Sequence, residues 1–511
     1  MLSKTNNRIE YGDWQTSLEL ALEVCKLLKE IGVNPKVIVE PTCGKGNFIL
    51  AALQTFEDIE DVYGIEIYKP YIDELESALG QYDIDNPRKV KPTIHLYNQS
   101  IFEFDFAKIE NDLNDREILV LGNLPWVTNS KLSVIGSDNL PKKTNFKNLG
   151  GLDAMMGKSN FDIAESICCQ MINFLIGKKA HLSLLLKNSV VKNILYKQEN
   201  SPLSISNIQQ YNIDTKKEFR ASVAACLFDC SFKEKYSKSC TVKDFYTRDN
   251  LQKYGWVGGK FVSNLEFYRD NSFIDGESQL EWRSGIKHDC AKVMELTFDG
   301  SQYVNGYGEK VEIENDLLYP LLKSSDIKEG IISSTTKYVI ITQQSPSDDT
   351  QFIRLKYPKT YSYLLSHSKE LDNRASRVYK GRPRFCMFGI GEYSFKPYKI
   401  AVSGLYKKIN FSIITPINNK SVMLDDTCYV LGFDTLEEAK MIQGLLNTKQ
   451  VQEFIKSIVF TDAKRVINKE VLMRIDLLKL IEHLSNLEKQ EKQQYYKYLK
   501  SNIIPTQMSL F

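Results

Sequence analysis

Three short segments hold residue types that could do chemistry together. The first, Glu40-Pro41-Thr42-Cys43-Gly44-Lys45-Gly46-Asn47-Phe48, follows the apolar run KVIV and leads into FILAAL. Glycines in such a turn let backbone approach a ligand closely, and the N–H groups opening the next helix are free donors for a nucleotide-like molecule. The third glycine of a dinucleotide fingerprint would fall at Ile49, which argues against a nicotinamide cofactor. The second segment is YGIEI, where Glu66 is placed to accept hydrogen bonds from two ribose hydroxyls. The third is Gly122-Asn123-Leu124-Pro125-Trp126, after EILVL. There a side-chain carbonyl (Asn123) and a backbone carbonyl (Leu124) can converge on one exocyclic amino group. Pro125 fixes φ in the turn, and Trp126 offers a flat face on which a base can stack.

These segments need a scaffold, and the flanking sequence supplies one. Residues 16–31 show apolar positions at helical spacing, with Thr16 or Ser17 as a candidate N-cap. Strands are predicted at VIV before Glu40, at 62–68, at 93–104 and over 117–126, the last ending in an abrupt polar turn, with helix-forming segments such as 69–80 between them. A helix over 161–177, a strand over 180–187 and a strand pair around 208–213 and 222–230 continue the pattern. Strands alternating with helices predict a doubly wound α/β sheet with helices on both faces. Beyond about residue 235 the alternation weakens, and Gly, aromatic and basic residues become frequent, as in GWVGGKF, GSQYVNGYGEK and RVYKGRPRFCMFGIGEYSFKPYK. Domains are therefore expected at 1–238 and 239–475, the second of mixed α+β type, followed by a helix and tail over 476–511. One amphipathic helix is expected over 474–500, with Leu477, Leu480, Ile481, Leu484 and Leu487 on one side.

Composition narrows the class. Of 511 residues, 66 are Lys or Arg and 64 Asp or Glu, a net +2 that excludes a polybasic wrapping protein but allows a basic groove. No long apolar run or signal peptide is seen, so a soluble cytoplasmic protein with no membrane partner is expected. The ten cysteines include no C-x-x-C pair and there are five histidines, so no metal site is expected and the thiols read as reduced and mostly buried.

Taken in order, these motifs resemble the gamma class of S-adenosylmethionine-dependent, amino-methylating DNA methyltransferases. YGDWQTSLELA resembles the entry to the N-terminal cofactor helix, VEPTCGKGNF the glycine loop, and NLPW the catalytic tetrapeptide, whose second position is usually Pro but here is Leu124. KSNFDIAES resembles the helix start that follows, and EFRASVAACLF the late motif whose aromatic, here Phe219, contacts a flipped base. The resemblance covers residues 11–230 and implies a Rossmann-like methyltransferase domain with S-adenosyl-L-methionine as cofactor. It implies cofactor contacts at Thr16, Glu40, Thr42, Gly44, Gly46, Phe48, Glu66, Ile67, Ser100 and Ile101. Ser100 stands where the family often has Asp, so the adenine end of the cofactor is held differently if this residue serves. The implied catalytic residues are Asn123, Leu124, Pro125 and Trp126, and the implied product is N6-methyladenine in double-stranded DNA.

Target recognition is then expected in the second domain. Residues 372–408 hold nine Lys or Arg against two acids, interleaved with aromatics, a mix suited to phosphate and groove contact. Arg374, Arg377, Arg382, Arg384, Lys396 and Lys399 are the candidate DNA contacts. The terminal Gln507-Met508-Ser509-Leu510-Phe511 resembles peptides that dock on the bacterial sliding clamp, which would place the protein at the nucleoid. Because the motifs begin at residue 11, methylation without cleavage is expected, with any cognate restriction endonuclease a separate protein. Two alternatives stay open: a ribosomal-RNA adenine-N6 methyltransferase, and a catalytically inactive DNA-specificity subunit.

Overall fold

All four residues of Val37–Glu40 are buried, which a strand achieves only when both faces of its sheet are covered. The computed structural model describes residues 15–86, 91–113, 115–126, 163–199, 203–232, 235–406, 408–460, 465–485 and 487–502. The chain divides into two compact units, Met1–Leu265 and Glu266–Phe511.

Among the described residues of the first unit ten strands form one sheet. They are β1 (Val37–Glu40), β2 (Asp61–Glu66), β3 (Thr93–Asn98), β4 (Ile118–Asn123), β5 (Ala180–Lys187), β6 (Ile205–Ile213), β7 (Ala225–Phe232), β8 (Ser239–Asp244), β9 (Asn250–Val257) and β10 (Lys260–Val262). Their order across the sheet is β3-β2-β1-β4-β5-β7-β6-β8-β9-β10. Strands β1 to β5 pair in parallel, and β7 lies antiparallel between β5 and β6. The chain leaves β1 towards β2 and β3, then returns to place β4 on the other side of β1. That reversal opens a crevice beyond the carboxyl ends of β1 and β4, where open α/β sheets bind ligands.

Helices connect these strands: α1 (Leu18–Glu30), α2 (Asn47–Thr55), α3 (Lys69–Asp85), α4 (Ala107–Leu113), α5 (Ile163–Leu175), α6 (Asn188–Lys197) and α7 (Thr215–Phe219). The N-cap of α1 is Ser17, whose Oγ accepts from the Leu20 N–H at 3.2 Å. Leu20, Val24 and Leu28 of α1 share one apolar cluster with Ile49, Ala52 and Leu53 of α2.

The expected boundary at residue 238 falls inside this sheet, since β8 pairs with β6 and β9 and β10 extend it to Val262. The change of pattern near 235 has a local cause. The strand β9 begins with four exposed residues, because it lies towards an antiparallel edge rather than in the doubly covered centre.

The second unit is mixed α+β. One sheet orders Arg283–Ser284, Cys428–Phe433, Tyr398–Ser403, Ser412–Ile414 and Ile331–Ile332 side by side. Another orders Lys310–Val311, Tyr303–Asn305, Glu295–Phe298, Lys337–Ile340, Leu318–Leu322 and Met423–Leu424. The single helix expected over 474–500 is two, Leu477–His483 and Lys489–Ser501. Asp476 caps the first, and a capping box at Glu488, whose N–H bonds Glu491 at 3.0 Å, starts the second. Among the described residues no helix is long and apolar enough to cross a membrane. All ten cysteines are free thiols, and all but Cys290 are buried.

One core residue of this unit is a lysine. Lys399 is 1% exposed, with its Nζ donating to the Lys396 carbonyl at 2.6 Å. Burial pushes its ammonium down to about 7. In the unfolded chain a lysine titrates near about 10.4. Between those values the unfolded state binds more protons, so stability rises with pH across that window, and the penalty is complete below it. Lys399→Met is expected to raise the urea midpoint at pH 6 and to lose that advantage as pH approaches 10. Denaturation curves of both proteins at the two pH values check this.

Candidate active site

The site is assembled where the carboxyl ends of β1 and β4 meet. Pairing in the register Val37↔Ile118 to Val39↔Val120 brings Glu40 and the Gly122–Asn123 end of β4 alongside one another. Gly122 has φ +149, and a Cβ there would lie 3.2 Å from Glu40 Cγ. A side chain would therefore meet the very carboxylate that lines the cleft. This glycine was not among the candidate site residues, and only the neighbouring strand reveals its role.

The glycine loop follows β1. Gly46 caps α2 in a left-handed conformation, φ +76, and a Cβ on it would overlap Leu75 Cδ1 at 2.1 Å. The Gly44 N–H donates to Glu66 Oε2 at 2.9 Å, and the Tyr68 N–H donates to Glu66 Oε1 at 2.8 Å. Two backbone donors thus orient the carboxylate at the end of β2. Thr42 Oγ1 donates to the Asn123 carbonyl at 3.4 Å, a long bond that joins the glycine loop to the β4 turn.

These residues line one cleft enclosing about 900 Å³ of empty space, solvent at its mouth included. Of the residues singled out from sequence, Thr16, Glu40, Thr42, Gly44, Phe48, Glu66, Ile67, Ser100, Ile101, Asn123 and Pro125 are on its walls. Gly46, Leu124, Trp126 and Phe219 are not. Gln15, Asn47, Tyr68, Tyr71, Gln99 and Phe102 line it as well and were not singled out from sequence. Asn47 had a readable signal as the first residue after the glycine loop. Its Nδ2 donates to the Thr16 carbonyl at 2.7 Å and ties the start of α1 to the loop.

The wall is polar at one end and apolar at the other. Ile67, 38% exposed, and buried Ile101 give a surface for a flat ring. Beside them Ser100 Oγ accepts from the Phe102 N–H at 3.3 Å, and Gln170 Nε2 holds the Ile101 carbonyl at 3.1 Å. At the other end, Glu40 is 2% exposed. Among the described residues, Glu40 Oε2 and Thr16 Oγ1 are buried without a hydrogen-bond partner. Burial, with the charge of Glu66 adding to it, pushes the Glu40 carboxyl well above its usual range. Burial, with the charges of Glu40 and Glu66 adding to it, likewise pushes the Cys43 thiol up.

Trp126 and Phe219 meet edge to face, with ring centroids 5.0 Å apart and planes at 66°. They are 8% and 6% exposed, so a base can stack on either ring only if its present cover moves. Segments 11–14 and 158–162 of the matching motifs lie outside the described residues, as does the 507–511 tail.

The candidate DNA contacts of the second unit separate sharply. Lys399 is inside the core and Arg374 acts as an internal peg, and both assignments need correction. The Arg374 guanidinium donates to the carbonyls of Leu371, Cys386 and His288 at 2.7, 2.7 and 3.2 Å and lies 3.7 Å from the Tyr379 ring centre. Arg384 makes a two-point pair with Asp372, and Lys396 pairs with Asp434 at 2.9 Å. Arg377 and Arg382 are exposed. Charge counts along the chain do not distinguish a solvated guanidinium from one satisfying carbonyls inside the fold.

Strand order, the switch-point cleft and the glycine loop define a Rossmann-like α/β fold, the fold of the methyltransferases this chain resembles in sequence. Type II methyltransferase M.NspV from Nostoc sp. (strain ATCC 29411 / PCC 7524) is 41% identical over 473 residues, 92% of this chain and 97% of its own length. The chain belongs to the family of Type II restriction-modification DNA methyltransferases. No family model matches it. The fold is also that of the Type IIL restriction-modification enzyme MmeI, solved in complex with DNA. The match has a TM-score of 0.52 at 12% identity and covers 98% of this chain and 72% of the other.

Two outcomes test this geometry. Gly46→Ala must overlap Leu75 and hold alanine at positive φ, so it is expected to lower stability by about 1–3 kcal/mol, read from chemical denaturation. For Glu40 the folded protein binds more protons than the unfolded one above the ordinary carboxyl value of 4.5, so stability falls as pH rises through that window. Glu40→Gln is expected to flatten that slope and raise the melting temperature of the ligand-free protein at pH 7. An unchanged pH profile would count against the buried, protonated carboxyl.

Proposed function

We propose that the chain transfers a methyl group from S-adenosyl-L-methionine to N6 of an adenine flipped out of a specific sequence in double-stranded DNA. The observation that supports this most is the placement of Asn123 and Pro125 on the wall of the cleft that also holds Glu40, Gly44 and Glu66. The residues present fit the cofactor. Glu40 and Thr16 have buried oxygens without partners among the described residues, suited to a cationic amino-acid end. Glu66 is preset for ribose hydroxyls, and Ile67, Ser100 and Ile101 border a place for the adenine ring, with Thr42, Gly44 and Phe48 between the two ends. The bound cofactor supplies an electrophilic methyl group.

The rest of the chemistry is positioning. An exocyclic amine is a poor nucleophile because its lone pair is delocalised into the ring. Accepting both of its N–H protons, on Asn123 Oδ1 and the Leu124 carbonyl, favours a tetrahedral nitrogen with its lone pair available. Attack then needs alignment more than a general base. Leu124 contributes only its carbonyl, so its departure from proline leaves this chemistry intact. Flipping an adenine costs roughly a few kcal/mol. Stacking on Trp126 and Phe219, worth about 1–3 kcal/mol per base, offsets part of it.

In this reading the second unit selects the target sequence, with Arg377 and Arg382 as its exposed candidates. The enzyme then acts at the cytoplasmic nucleoid beside a separate cognate endonuclease, and Gln507–Phe511 is a candidate tether to the sliding clamp. Single-molecule sequencing of DNA from a methylation-free host expressing the chain is expected to show N6-methyladenine in one recurrent short sequence. Unmodified DNA, with cofactor still bound, would instead favour the RNA enzyme or the inactive subunit. Asn123→Ala is expected to keep cofactor affinity and lose about 100-fold or more in methyl transfer. Full activity in that variant removes the catalytic assignment.

A further inference from the structure

Resting on the flipped-adenine reading, we propose that Arg220 is the contact for a DNA phosphate beside the flipped nucleotide. It follows Phe219 directly, and the Phe219 and Trp126 rings meet edge to face at a centroid distance of 5.0 Å. Arg220 is therefore one residue, about 3.8 Å of chain, from a ring in contact with the catalytic tetrapeptide.

The segment is built to hold that position. Asp214 caps α7, its Oδ1 accepting from the Lys216 and Lys217 N–H groups at 3.0 and 3.1 Å. Arg220 ends the helix in a left-handed conformation, φ 53 and ψ 32, with its N–H directed to the Lys216 and Thr215 carbonyls. Thr215 Oγ1 then reaches across the loop to the Val223 and Ala221 carbonyls at 2.7 and 3.3 Å. Phe219 and Ala221 are buried, whereas Arg220, Ser222 and Val223 are exposed. Glycine or asparagine would adopt the left-handed conformation more readily than arginine. An arginine held there, with its neighbours buried and its own side chain in solvent, is a residue placed for its head group.

The local charges are unbalanced in a way that suits an anion. Asp214 is engaged in capping. Glu218 is shared by Lys217 at 3.3 Å and the Tyr246 hydroxyl at 2.8 Å, and Lys217 also lies 4.7 Å from the Tyr246 ring centre. Lys216 and Arg220 are exposed and make no ion pair among the described residues. A nucleotide rotated out of the duplex carries its flanking phosphates to the mouth of the pocket that receives its base. A guanidinium there can bind a phosphate through two parallel hydrogen bonds.

The test uses the full chain and a duplex carrying the sequence found by methylation mapping, with 2-aminopurine at the target position. Arg220→Gly keeps the left-handed backbone at no steric cost while removing the charge. Its melting temperature and S-adenosylmethionine affinity are expected to equal or exceed those of the wild type. DNA affinity is expected to fall about tenfold, the slope of log K against log salt to shrink by about one, and the 2-aminopurine signal to stay low at saturating protein. Arg220→Lys is expected to restore the salt slope and part of the affinity. Wild-type affinity and slope in Arg220→Gly overturn the proposal. Weaker binding with a full 2-aminopurine signal also overturns it, because Arg220 would then hold backbone away from the flipped nucleotide. Wild-type protein that binds cofactor yet neither methylates adenine nor brightens the probe overturns the adenine reading and this assignment together, a result visible before any variant is compared.

Discussion

Parallel pairing of β1 with β4 is the constraint on which the site depends. The two strands are far apart in sequence, and the chain visits β2 and β3 between them. Because both run the same way and pair without an intervening strand, their carboxyl ends open at the same edge of the sheet. The glycine loop leaves one end and the candidate catalytic turn leaves the other. Everything else at the site adjusts that meeting: Gly122 makes room for Glu40, Thr42 reaches the Asn123 carbonyl, and the Gly44 amide orients Glu66.

The electrostatics of the cleft follow from the same arrangement. Two carboxylates, at the ends of adjacent strands β1 and β2, converge on a small volume. Glu66 is stabilised by backbone donors, while Glu40 is buried and held near neutrality. A cation entering the cleft relieves the burial cost of Glu40 by giving its charged form a partner. A buried carboxyl of this kind costs stability, a cost more often carried by binding sites than by structural cores.

The second unit shows the limits of reading charge along a chain. The basic stretch 372–408 looked uniform, yet its members have different fates. Lys399 points into a core, Arg374 ties together three carbonyls, Arg384 and Lys396 are paired with acids, and Arg377, Lys380 and Arg382 stand in solvent. Long basic side chains have apolar stems and multiple donors, so they serve as internal braces as readily as phosphate contacts.

The sequence alone determined most of the local elements of the first unit. Apolar periodicity marked α1, β5 and the β6–β7 pair closely, because burial on one or both faces imposes a period that substitution can hardly hide. The motif residues Glu40, Gly44, Glu66 and Asn123 were legible because each answers a local demand: a turn, a donor, an acceptor. What only the tertiary structure decided was adjacency. That Gly122 must lack a side chain, that Asn47 braces Thr16, that Trp126 and Phe219 touch, and that the first sheet runs on to Val262 all depend on strands paired across long stretches of chain. Burial was decided there too, because whether a lysine or a carboxyl sits in water or in a core depends on what the rest of the fold places over it.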